Sequence, residues 1–361
     1  MAKEIRHLKR FGKVKEIIGM EDPHHYRNKV QAAFQYDPRR HQIISGVYQS
    51  GTHRIVPVDQ CLIEDTIADE IIVDIRKMMK GFKMTAYNED TGRGFLRHVL
   101  VKRGFSTGQV MVVLVSGPSV FPSRRNFVKA LLEKHPEITT VIHNVNPYHT
   151  NLVLGDQETV LYGPGYIEDI LGGCTFRISA KSFYQINPVQ CEKLYATAID
   201  YAGLTGNEVV FDSYCGTGTI GILAAGHAKS VIGVELNRDA VRDAIANAKR
   251  NGIDNIEFHA GDAGEFLTAM AAKKEPVDVI LMDPPRAGSS IPFLRSLVTL
   301  APPKVVYVSC NPETLARDLN YLTKKGYKVR AIQPVDMFPY TEHVETVVLL
   351  TRNNDPKRRI P

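Results

Sequence analysis

The second half of the chain consists of short apolar runs that lack polar alternation and are separated by helix-like stretches. Two of those stretches are Arg238–Arg250 and Thr314–Lys325. Strands of this kind, separated by helices, indicate a mostly parallel sheet that is covered on both faces. In such sheets ligands bind at the carboxyl ends of the strands, so functional residues are expected just after each run. The predicted strands include Val209–Phe211, Val231–Val234, Ile256–His259, Val277–Met282, Val305–Val308 and Val344–Leu350.

The first half mixes short strands with helices and predicts a smaller, mixed α/β domain. Gln42–Tyr48 and Val110–Val115 are rich in β-branched residues and are bounded by Gly or Ser, which is typical of strands. Ala68–Met79 has its isoleucines at helical spacing and predicts an amphipathic helix. Tyr162–Ile178 is punctuated by glycines and predicts hairpin-like strands.

The composition is that of a globular protein with a sizeable core. Of the 361 residues, 43% are hydrophobic and 23% are charged, which excludes disorder throughout. The longest apolar run, Val110–Val115, is far shorter than the roughly 18 residues of a membrane span, and the charged N-terminus has no apolar secretion segment. The five cysteines are scattered and include no CxxC pair, which argues against a disulfide framework or a zinc ribbon. We therefore expect a cytoplasmic protein of about two domains, without a membrane anchor.

Charge is distributed unevenly between the two halves. Residues 1–150 carry 23 Lys and Arg against 15 Asp and Glu, whereas residues 151–361 carry 22 against 24. A basic first half joined to a near-neutral second half is what a polyanion-binding module attached to an enzyme would show. A solvated basic surface with no partner would show the same balance, so charge alone leaves both interpretations open.

A glycine-rich loop follows the first apolar run of the second half. Residues 212–221 contain a GxGxxG pattern at Gly216, Gly218 and Gly221. Glycines allow the backbone to approach a ligand closely, and the N-terminus of the following helix favours an anion. Each glycine taken alone is equally compatible with a simple tight turn, but the set predicts a nucleotide-type cofactor loop.

Three carboxylates indicate which cofactor this loop would take. Glu235 ends the second strand, where a carboxylate can accept hydrogen bonds from both ribose hydroxyls of a bound cofactor. The glycine loop and Glu235 fit NAD and S-adenosylmethionine (SAM) equally well. Asp212 at the end of the first strand and Asp262 at the end of the third favour SAM, because methyltransferases commonly place an adenine contact at the latter position.

Two further motifs follow the fourth and fifth strands. Asp283–Arg286 reads Asp-Pro-Pro-Arg, and its prolines stiffen a loop that holds Asp283 and backbone carbonyls toward a substrate. Methyltransferases that act on base amino groups use a similar Asp-Pro-Pro followed by an aromatic residue, so Arg286 argues against amine methylation. Residues 309–312 read Ser-Cys-Asn-Pro and place Cys310 at a strand end. A lone cysteine is more often a core residue, but its position favours the active crevice.

A cysteine beside SAM fits methylation of carbon 5 of uracil. That carbon is too weak a nucleophile to attack a methyl group until a thiolate adds to carbon 6 and converts the ring to an enolate. A base must then remove the proton from carbon 5 so that the thiolate can leave. Glu345, at the start of the last strand, is the candidate base, with a solvated strand-edge carboxylate as the alternative interpretation.

The ordered set of motifs resembles the RNA 5-methyluridine (uracil-5) methyltransferases of 23S rRNA and tRNA. The resemblance runs from about Tyr26 to Leu350, nearly the whole chain. The segments that carry it are residues 26–29 (YRNK), 94–98 (GFLRH), 182–188 (SFYQINP), 212–218 (DSYCGTG), 283–286 (DPPR), 309–312 (SCNP) and 343–345 (HVE).

The resemblance implies a role for individual residues. It implies that Cys310 is the nucleophile, that Glu345 is the base, and that Phe183 is a wall of the uracil pocket. Arg286, Arg97 and Arg103 are the expected substrate contacts. The SAM contacts that we expect are Gln185, Tyr214, Gly216, Gly218, Thr219, Glu235, Asp262 and Asp283.

The sequence departs from the family pattern in two ways. Many members begin with a small β-barrel RNA-binding domain, for which we expect no room in this chain. Many also hold an iron–sulfur cluster on four cysteines, of which Cys61 resembles the last and the other three have no counterpart. A four-thiolate cluster cannot form from one thiolate, so we expect no cluster and no other metal. The basic first half would then bind RNA phosphates itself, although each of these residues, taken alone, fits a solvated surface charge better than a phosphate contact. The candidates are Arg27, Lys29, Arg97, Lys102, Arg103, Arg124 and Arg125.

The sequence thus predicts an α/β protein with a C-terminal Rossmann-like class I SAM-dependent methyltransferase domain. We expect a central, RNA-binding α/β domain over residues 1–180, the catalytic domain over residues 181–352, and a basic tail over residues 353–361. The expected substrate is uridine in structured RNA, 23S rRNA first and tRNA second, and the expected state is a monomer.

Three alternatives stay open from the sequence. An RNA cytosine-5 methyltransferase usually has an additional Pro-Cys in the fourth-strand motif, where this chain has Pro284 and Pro285. A SAM-binding RNA or ribosome-assembly factor without catalysis would not need the intact Cys310 and Glu345. An NAD-dependent dehydrogenase is suggested by GxGxxG alone, and the cofactor that copurifies would distinguish it.

Overall fold

The computed structural model describes residues 4–353, which divide into two compact units. The N-terminal unit comprises residues 23–170 and 177–188, and the C-terminal unit comprises residues 4–22, 171–176 and 189–353. This division differs from the expected boundary at residue 180, because the beginning of the chain pairs with the C-terminal sheet. Residues 354–361 of the expected basic tail lie outside the described residues.

The N-terminal unit is built on a seven-stranded sheet with the order β3-β2-β1-β4-β5-β6-β7. Its strands are β1 (Lys29–Asp37), β2 (Gln42–Tyr48), β3 (Ile55–Pro57), β4 (Leu96–Arg103), β5 (Val110–Ser116), β6 (Ile138–Val145) and β7 (Gln157–Tyr162). All neighbours are antiparallel except β5 and β6, which are parallel and connected through a helix. The mixed α/β architecture expected for the first half is therefore present.

Two helices cover this sheet. They are α1 (Thr66–Met78) and α2 (Arg124–Lys134). Helix α1 matches the expected amphipathic segment, because its isoleucines are buried against the sheet while charged residues such as Glu70 and Lys77 stay exposed. Asp65 caps its start by accepting a hydrogen bond from the Ala68 N–H at 3.1 Å. A two-stranded hairpin, β8 (Ile167–Leu171) and β9 (Cys174–Ile178), follows the sheet, as its glycines predict.

The C-terminal unit contains a second seven-stranded sheet, with the order β12-β11-β10-β13-β14-β16-β15. Its strands are β10 (Val209–Ser213), β11 (Ser230–Glu235), β12 (Ile256–Ala260), β13 (Val279–Met282), β14 (Lys304–Ser309), β15 (Tyr327–Val335) and β16 (Glu345–Arg352). Strands β10 to β14 are parallel, and β16 runs antiparallel between β14 and β15. The α/β fold with a mostly parallel sheet, expected from the sequence, is confirmed.

Helices fill the connections of this sheet. They are α3 (Pro188–Ala202), α4 (Thr219–Ala225), α5 (Arg238–Arg250), α6 (Ala263–Lys273), α7 (Ile291–Leu300) and α8 (Pro312–Lys324). Four of them begin at an Asn, Asp or Ser whose side chain accepts a hydrogen bond from the first turn. Three of these capping residues, Asn237, Asp262 and Asn311, lie two residues after the end of a strand, so the capped helix starts lie at the functional edge of the sheet.

The beginning of the chain belongs to the C-terminal unit. A 3₁₀ helix, Glu4–Phe11, places Leu8 in the same core as Phe211 and Leu319. The backbone N–H groups of Lys15 and Ile18 then donate to carbonyls of strand β15 at 3.0 Å each. Residues 14–18 thereby cover the outer edge of the sheet, which would otherwise present unpaired backbone groups.

Two absences concern the described part of the chain. Within residues 4–353, no helix is long and apolar enough to cross a membrane. The same residues contain no group of three or more His, Cys, Asp or Glu that could hold a metal ion. Cys61 lies in the N-terminal unit, where its N–H donates to Asp69 Oδ2 at 2.8 Å. The expectation that no iron–sulfur cluster forms stays a prediction.

Replacing Leu8 tests whether the beginning of the chain stabilises the C-terminal unit. We expect Leu8→Ala to lower the free energy of unfolding of that unit by about 2–5 kcal/mol, because it leaves a cavity at a fully buried position. The measurement is urea denaturation followed by hydrogen exchange of peptides from residues 189–353. The exposed neighbour is the control, and Lys9→Ala should change the value by no more than about 0.5 kcal/mol. Equal stability of Leu8→Ala and the wild type would contradict the packing.

Candidate active site at the carboxyl edge of the C-terminal sheet

The residues expected to bind the cofactor and to do the chemistry follow consecutive strands along one edge of the C-terminal sheet. Because β10 to β14 are parallel, their carboxyl ends meet at the same edge. Strand β16 is antiparallel, so its first residue lies at this edge as well. In the order of the strands, the edge carries Asp262 after β12, Glu235 at the end of β11, Tyr214 after β10, Asp283 after β13, Cys310 after β14 and Glu345 at the start of β16.

The glycine loop after β10 has one glycine that a positive φ explains and that borders open space. Gly216 has a φ of +56°, and a Cβ placed there would meet no atom within 4 Å. At Gly218 a Cβ would lie 2.7 Å from the Phe258 ring, and at Gly221 it would lie 2.7 Å from Asp212 Oδ2. The latter two glycines are therefore required by packing inside the unit, whereas Gly216 faces open space beside the loop.

Asp212 and Glu235 hold this loop in place. Asp212 is buried and its Oδ2 accepts a hydrogen bond from the Gly221 N–H at 2.9 Å; burial raises the pKa of its carboxyl to about 8. Glu235 accepts hydrogen bonds from the N–H groups of Gly216 at 3.1 Å and Asn237 at 2.9 Å. Asp212 is thus a structural residue under the loop, and Glu235 is partly exposed beside Gly216.

Tyr214 and Asp262 flank the loop. Tyr214 has a φ of +62°, a left-handed conformation that is costly for a residue other than glycine. Its ring packs on Phe293 with 5.3 Å between centroids, and burial raises the pKa of its phenol to about 12. Asp262 is exposed and caps helix α6 through the Glu265 N–H at 3.0 Å. Thr219, the first residue of α4, is partly buried. The C-terminal unit therefore contributes the expected loop, carboxylates and tyrosine to one edge.

The antiparallel register of β14 and β16 brings the end of β14, after which Cys310 follows, to the same edge as Glu345 at the start of β16. Ser309 pairs with Thr346, so the next positions along the same ladder are Cys310 and Glu345. Glu345 is only 5% exposed, and its Oε2 is buried without a hydrogen-bond partner among the described residues. Cys310 is partly exposed. A buried, unpaired carboxylate oxygen is expensive and is retained where it has a task.

The charges around the thiol keep it protonated. Burial, followed by the negative charges of Glu345 and Asp283, raises the pKa of the Cys310 thiol to about 11, and the Arg286 guanidinium opposes this. Burial, followed by the charge of Asp283, raises the pKa of Glu345, and Arg286 again opposes the shift. Burial also raises the pKa of Asp283. The site thus combines a weakly acidic thiol, two carboxyl groups with a high proton affinity, and one nearby cation.

The loop that carries Arg286 is fixed by the segment that carries Cys310. The carbonyl oxygen of Arg286 accepts hydrogen bonds from Asn311 Nδ2 at 3.1 Å and from Thr314 Oγ1 at 3.2 Å. The guanidinium itself is exposed and lies 3.4 Å from His343 Nδ1. The Asp-Pro-Pro-Arg and Ser-Cys-Asn-Pro motifs therefore form one connected framework around the thiol.

The sequence did not predict a role for Asp318, which holds the segment after Arg286 and strand β14 by hydrogen bonds. Asp318 is fully buried and its Oδ2 accepts hydrogen bonds from the Ser289 N–H and the Tyr307 hydroxyl, both at 2.8 Å. Its Oδ1 accepts a hydrogen bond from Arg317 Nε at 2.8 Å. An aspartate on the apolar face of α8, between Leu315 and Leu322, is the signal that could have identified it.

Two expected site residues, Phe183 and Gln185, lie in the N-terminal unit. Phe183 is a large apolar side chain that is 66% exposed, which is unusual for a phenylalanine without a partner to cover it. Gln185 is partly buried, and its backbone carbonyl oxygen accepts a hydrogen bond from Asn28 Nδ2 at 3.1 Å. Lys102 Nζ donates to the carbonyls of Ser179 and Ser182, which fixes the turn ahead of Phe183. Their contacts with cofactor and base stay predictions.

The structure corrects the expectation for Arg97. Its side chain is 3% exposed and forms an ion pair with Glu89, with Nε 2.7 Å from Oε1. The same guanidinium donates to the carbonyls of Asn146 and Tyr148 at 2.9 Å. Arg103 is likewise engaged, with Nη1 2.6 Å from Asp65 Oδ2. These donors are used inside the fold, so we do not assign Arg97 or Lys102 to RNA phosphates; Lys29, Arg124 and Arg125 are exposed.

A protein-family model and several relatives match this chain over the residues that form the sheet edge just described. Residues 166–353 match the model of the tRNA (uracil-5-)-methyltransferase family. An uncharacterized RNA methyltransferase of Clostridium acetobutylicum is 45% identical over 357 residues, which are 97% of this chain and 77% of that protein. A relative of the same description from Caldanaerobacter subterraneus is 42% identical over 342 residues, 95% of this chain and 75% of that protein.

A solved structure extends the likeness to three dimensions. The tRNA (uracil-54, C5)-methyltransferase of Pyrococcus abyssi, determined with S-adenosyl-L-homocysteine, superimposes with a TM-score of 0.81 at 28% identity. The alignment covers 96% of this chain and 82% of that one. The likeness therefore includes the N-terminal unit as well as the sheet that carries Cys310.

The pH dependence of Cys310 alkylation tests the electrostatics of the site. Because the thiol has a pKa raised to about 11, its thiolate fraction is small at pH 7.5 and grows as the pH rises. The rate of labelling of the Cys310 peptide by iodoacetamide, followed by mass spectrometry, should therefore continue to rise above pH 9.

Two variants set the direction of the effect. Arg286→Gln should move the profile to higher pH, because it removes the cation that stabilises the thiolate, whereas Arg295→Gln at an exposed distant position should leave it unchanged. A half-maximal labelling rate at or below pH 8.5, the value of an ordinary thiol, would contradict this account.

Proposed function

We propose that this chain, which belongs to the tRNA (uracil-5-)-methyltransferase family, methylates carbon 5 of a uridine in structured RNA by way of a covalent bond to Cys310. The chain is a SAM-dependent RNA methyltransferase, as its family and its likeness to the Pyrococcus abyssi enzyme show. The observation that supports the proposed mechanism is the pairing of Ser309 with Thr346, which brings Cys310 and Glu345, whose Oε2 is buried and unpaired among the described residues, to the same sheet edge.

The residues at the sheet edge fit SAM. Open space beside Gly216 leaves room for a ligand against the backbone, and Glu235 next to it has a carboxylate suited to ribose hydroxyls. We assign the remaining contacts of this edge to Tyr214, Gly218, Thr219, Asp262 and Asp283, and Gln185 stays a predicted SAM contact. SAM, when bound, would supply the methyl group from its positively charged sulfonium.

Cys310 acts as the nucleophile. Its sulfur adds to carbon 6 of uracil, which forms a carbon–sulfur bond and shifts the electrons of the double bond toward carbon 5 and the carbonyl at carbon 4. The thiol must first lose its proton, and we assign that proton to the neighbouring carboxyl group of Asp283, whose raised pKa suits it to accept a proton, so that Glu345 stays available for the later step. Arg286 stabilises the negative charge on sulfur.

Glu345 acts as the base that completes the reaction. Once carbon 5 carries both hydrogen and methyl, removal of that proton restores the double bond and breaks the carbon–sulfur bond, so the thiolate is recovered. A buried carboxylate with a raised pKa and a free oxygen is suited to this proton transfer. We further propose that Phe183, an exposed aromatic ring, packs on the uracil after the base leaves its stack.

The identity of the RNA is a finer part of the proposal. The sequence expectation places 23S rRNA first and tRNA second. The likeness to the Pyrococcus abyssi tRNA enzyme, which covers 96% of this chain, supports tRNA as a candidate substrate. The monomeric state and the cytoplasmic location stay predictions.

Methylation of separated RNA fractions tests the function. RNA from a strain devoid of 5-methyluridine is divided into 23S rRNA and tRNA, incubated with labelled SAM, and analysed as nucleosides by mass spectrometry. We expect 5-methyluridine in one fraction with the wild type and none with Cys310→Ala. Cys61→Ala, at a partly buried cysteine of the N-terminal unit, should retain activity. A product on another base, or full activity of Cys310→Ala, would refute the proposal.

Glu345→Gln should separate the two halves of the reaction. An amide cannot take the proton from carbon 5, so release of the methylated RNA should slow by about 10²–10⁴-fold and the protein should carry RNA that survives denaturing electrophoresis. Glu342→Gln, at an exposed carboxylate three residues earlier, should behave as the wild type. Normal turnover of Glu345→Gln without a trapped adduct would mean that another group is the base.

A further inference from the structure

We propose that the N-terminal unit binds a second nucleobase of the RNA, other than the target uracil, in a cavity at the end of strand β2 and the beginning of strand β4. The inference rests on the proposed function for the identity of the RNA. The cavity has a volume of about 610 Å³ and lies within residues 31–153. The lining residues on which the argument depends are Tyr48, His53, Glu89, Arg97, His98 and Leu152.

The charges that line the cavity are already neutralised. Arg97 is the one Arg or Lys among the described lining residues, and its guanidinium is paired with Glu89 through two hydrogen bonds of 2.7 and 2.8 Å. His53 Nδ1 lies 3.0 Å from Asp90 Oδ1. No cation is left for a phosphate, so the lining fits a neutral ring with hydrogen-bonding edges better than the RNA backbone.

His98 supplies an unused polar group. Its side chain is 5% exposed, it lines the cavity, and its Nδ1 has no hydrogen-bond partner among the described residues. Burial, followed by the charge of Arg97, lowers the pKa of the imidazole to about 4, so the ring is neutral at physiological pH. A neutral imidazole has one donor and one acceptor nitrogen, which is suited to the edge of a base. Unsatisfied buried groups of this kind usually have a partner in the functional state.

Tyr48 offers the surface on which a base would stack. Its ring is 36% exposed and meets the His98 ring edge-on, with 6.0 Å between centroids. The His53 ring lies 6.3 Å from it on the same cavity. On the other wall Leu152 is 71% exposed and apolar. Aromatic rings beside a neutral hydrogen-bonding group are how proteins hold unstacked RNA bases.

RNA affinity of matched tyrosine variants tests the proposal. The probes are labelled single-stranded RNAs of about 12 nucleotides, one for each base, together with the 23S rRNA and tRNA fractions. We expect Tyr48→Ala to weaken binding of at least one probe by about tenfold to a hundredfold, and Tyr48→Phe to bind within about twofold of the wild type. Tyr36→Ala is the control, because Tyr36 is an exposed tyrosine on strand β1 outside the cavity.

The salt dependence distinguishes a base contact from a phosphate contact. Loss of stacking should leave the slope of log Kd against log salt unchanged, whereas loss of a phosphate contact lowers it. Ultraviolet crosslinking of wild-type protein, followed by peptide mass spectrometry, should place a nucleotide on the segment containing Tyr48 and His53. Tyr48→Ala with wild-type affinity, an equal loss in Tyr36→Ala, or a reduced salt slope would overturn the proposal.

The outcome is independent of the methylation experiment. Cys310-dependent methylation with normal RNA affinity of Tyr48→Ala would refute this site and leave the proposed function standing. Tyr48-dependent binding without 5-methyluridine would refute the proposed function and leave a base-binding site. Wild-type protein that binds none of the probes, or Tyr48-dependent binding of free nucleoside monophosphates without any effect on RNA, would also overturn the inference.

Discussion

The arrangement of the candidate active site depends on the antiparallel pairing of the last strand, β16, with β14. A wholly parallel sheet would put the first residue of the last strand at the opposite edge from the thiol. Because β16 runs the other way, its first residue, Glu345, lies at the edge where Cys310 follows β14. Strand β15 is the first strand of the hairpin that β16 completes, and residues 14–18 cover its outer edge.

The placement of Cys310, Glu345 and Asp283 at one edge makes their ionised forms less favourable, and Arg286 offsets this only in part. Two carboxyl groups and a thiol share a poorly solvated corner, and burial raises the pKa of each. Arg286 is the cation that opposes these shifts on Cys310 and Glu345. Its loop is fixed by hydrogen bonds to the segment after Cys310, and beneath it lies the buried Asp318. Groups held in this way have a high proton affinity, which is what a reaction that moves two protons requires.

Much of the fold and the sheet edge could be predicted from the sequence. The parallel strands β10, β11 and β14 are continuous apolar runs, and the residues that follow them carry recognisable motifs. Strand β15 was missed because polar residues interrupt its first half, so its apolar run is short. Without β15, the direction of Val344–Leu350 could not be deduced, and neither could the position of Glu345 at the same sheet edge as Cys310.

The charged residues of the first half show why side-chain roles were harder to predict. Arg97 has the positive charge expected of an RNA contact. Its guanidinium nevertheless donates to Glu89 and to two backbone carbonyls inside the fold. Those partners lie in loops up to 51 residues away in sequence, so no local pattern reports them. The same burial makes His98 neutral and unpaired. In this unit, tertiary contacts rather than residue type decide which groups remain available to a ligand.

The central claim is that Cys310 forms a covalent bond with the target uracil. RNA in which uridine is replaced by 5-fluorouridine tests it directly. Carbon 5 then carries fluorine in place of hydrogen, so a base has no proton to remove and the adduct should persist. After incubation with SAM, the protein is digested and the peptide that carries the nucleotide is identified by mass spectrometry. The account predicts a methylated 5-fluorouridine attached to Cys310. Attachment to a different cysteine, or methylation of ordinary uridine with no adduct on the fluorinated RNA, would contradict it.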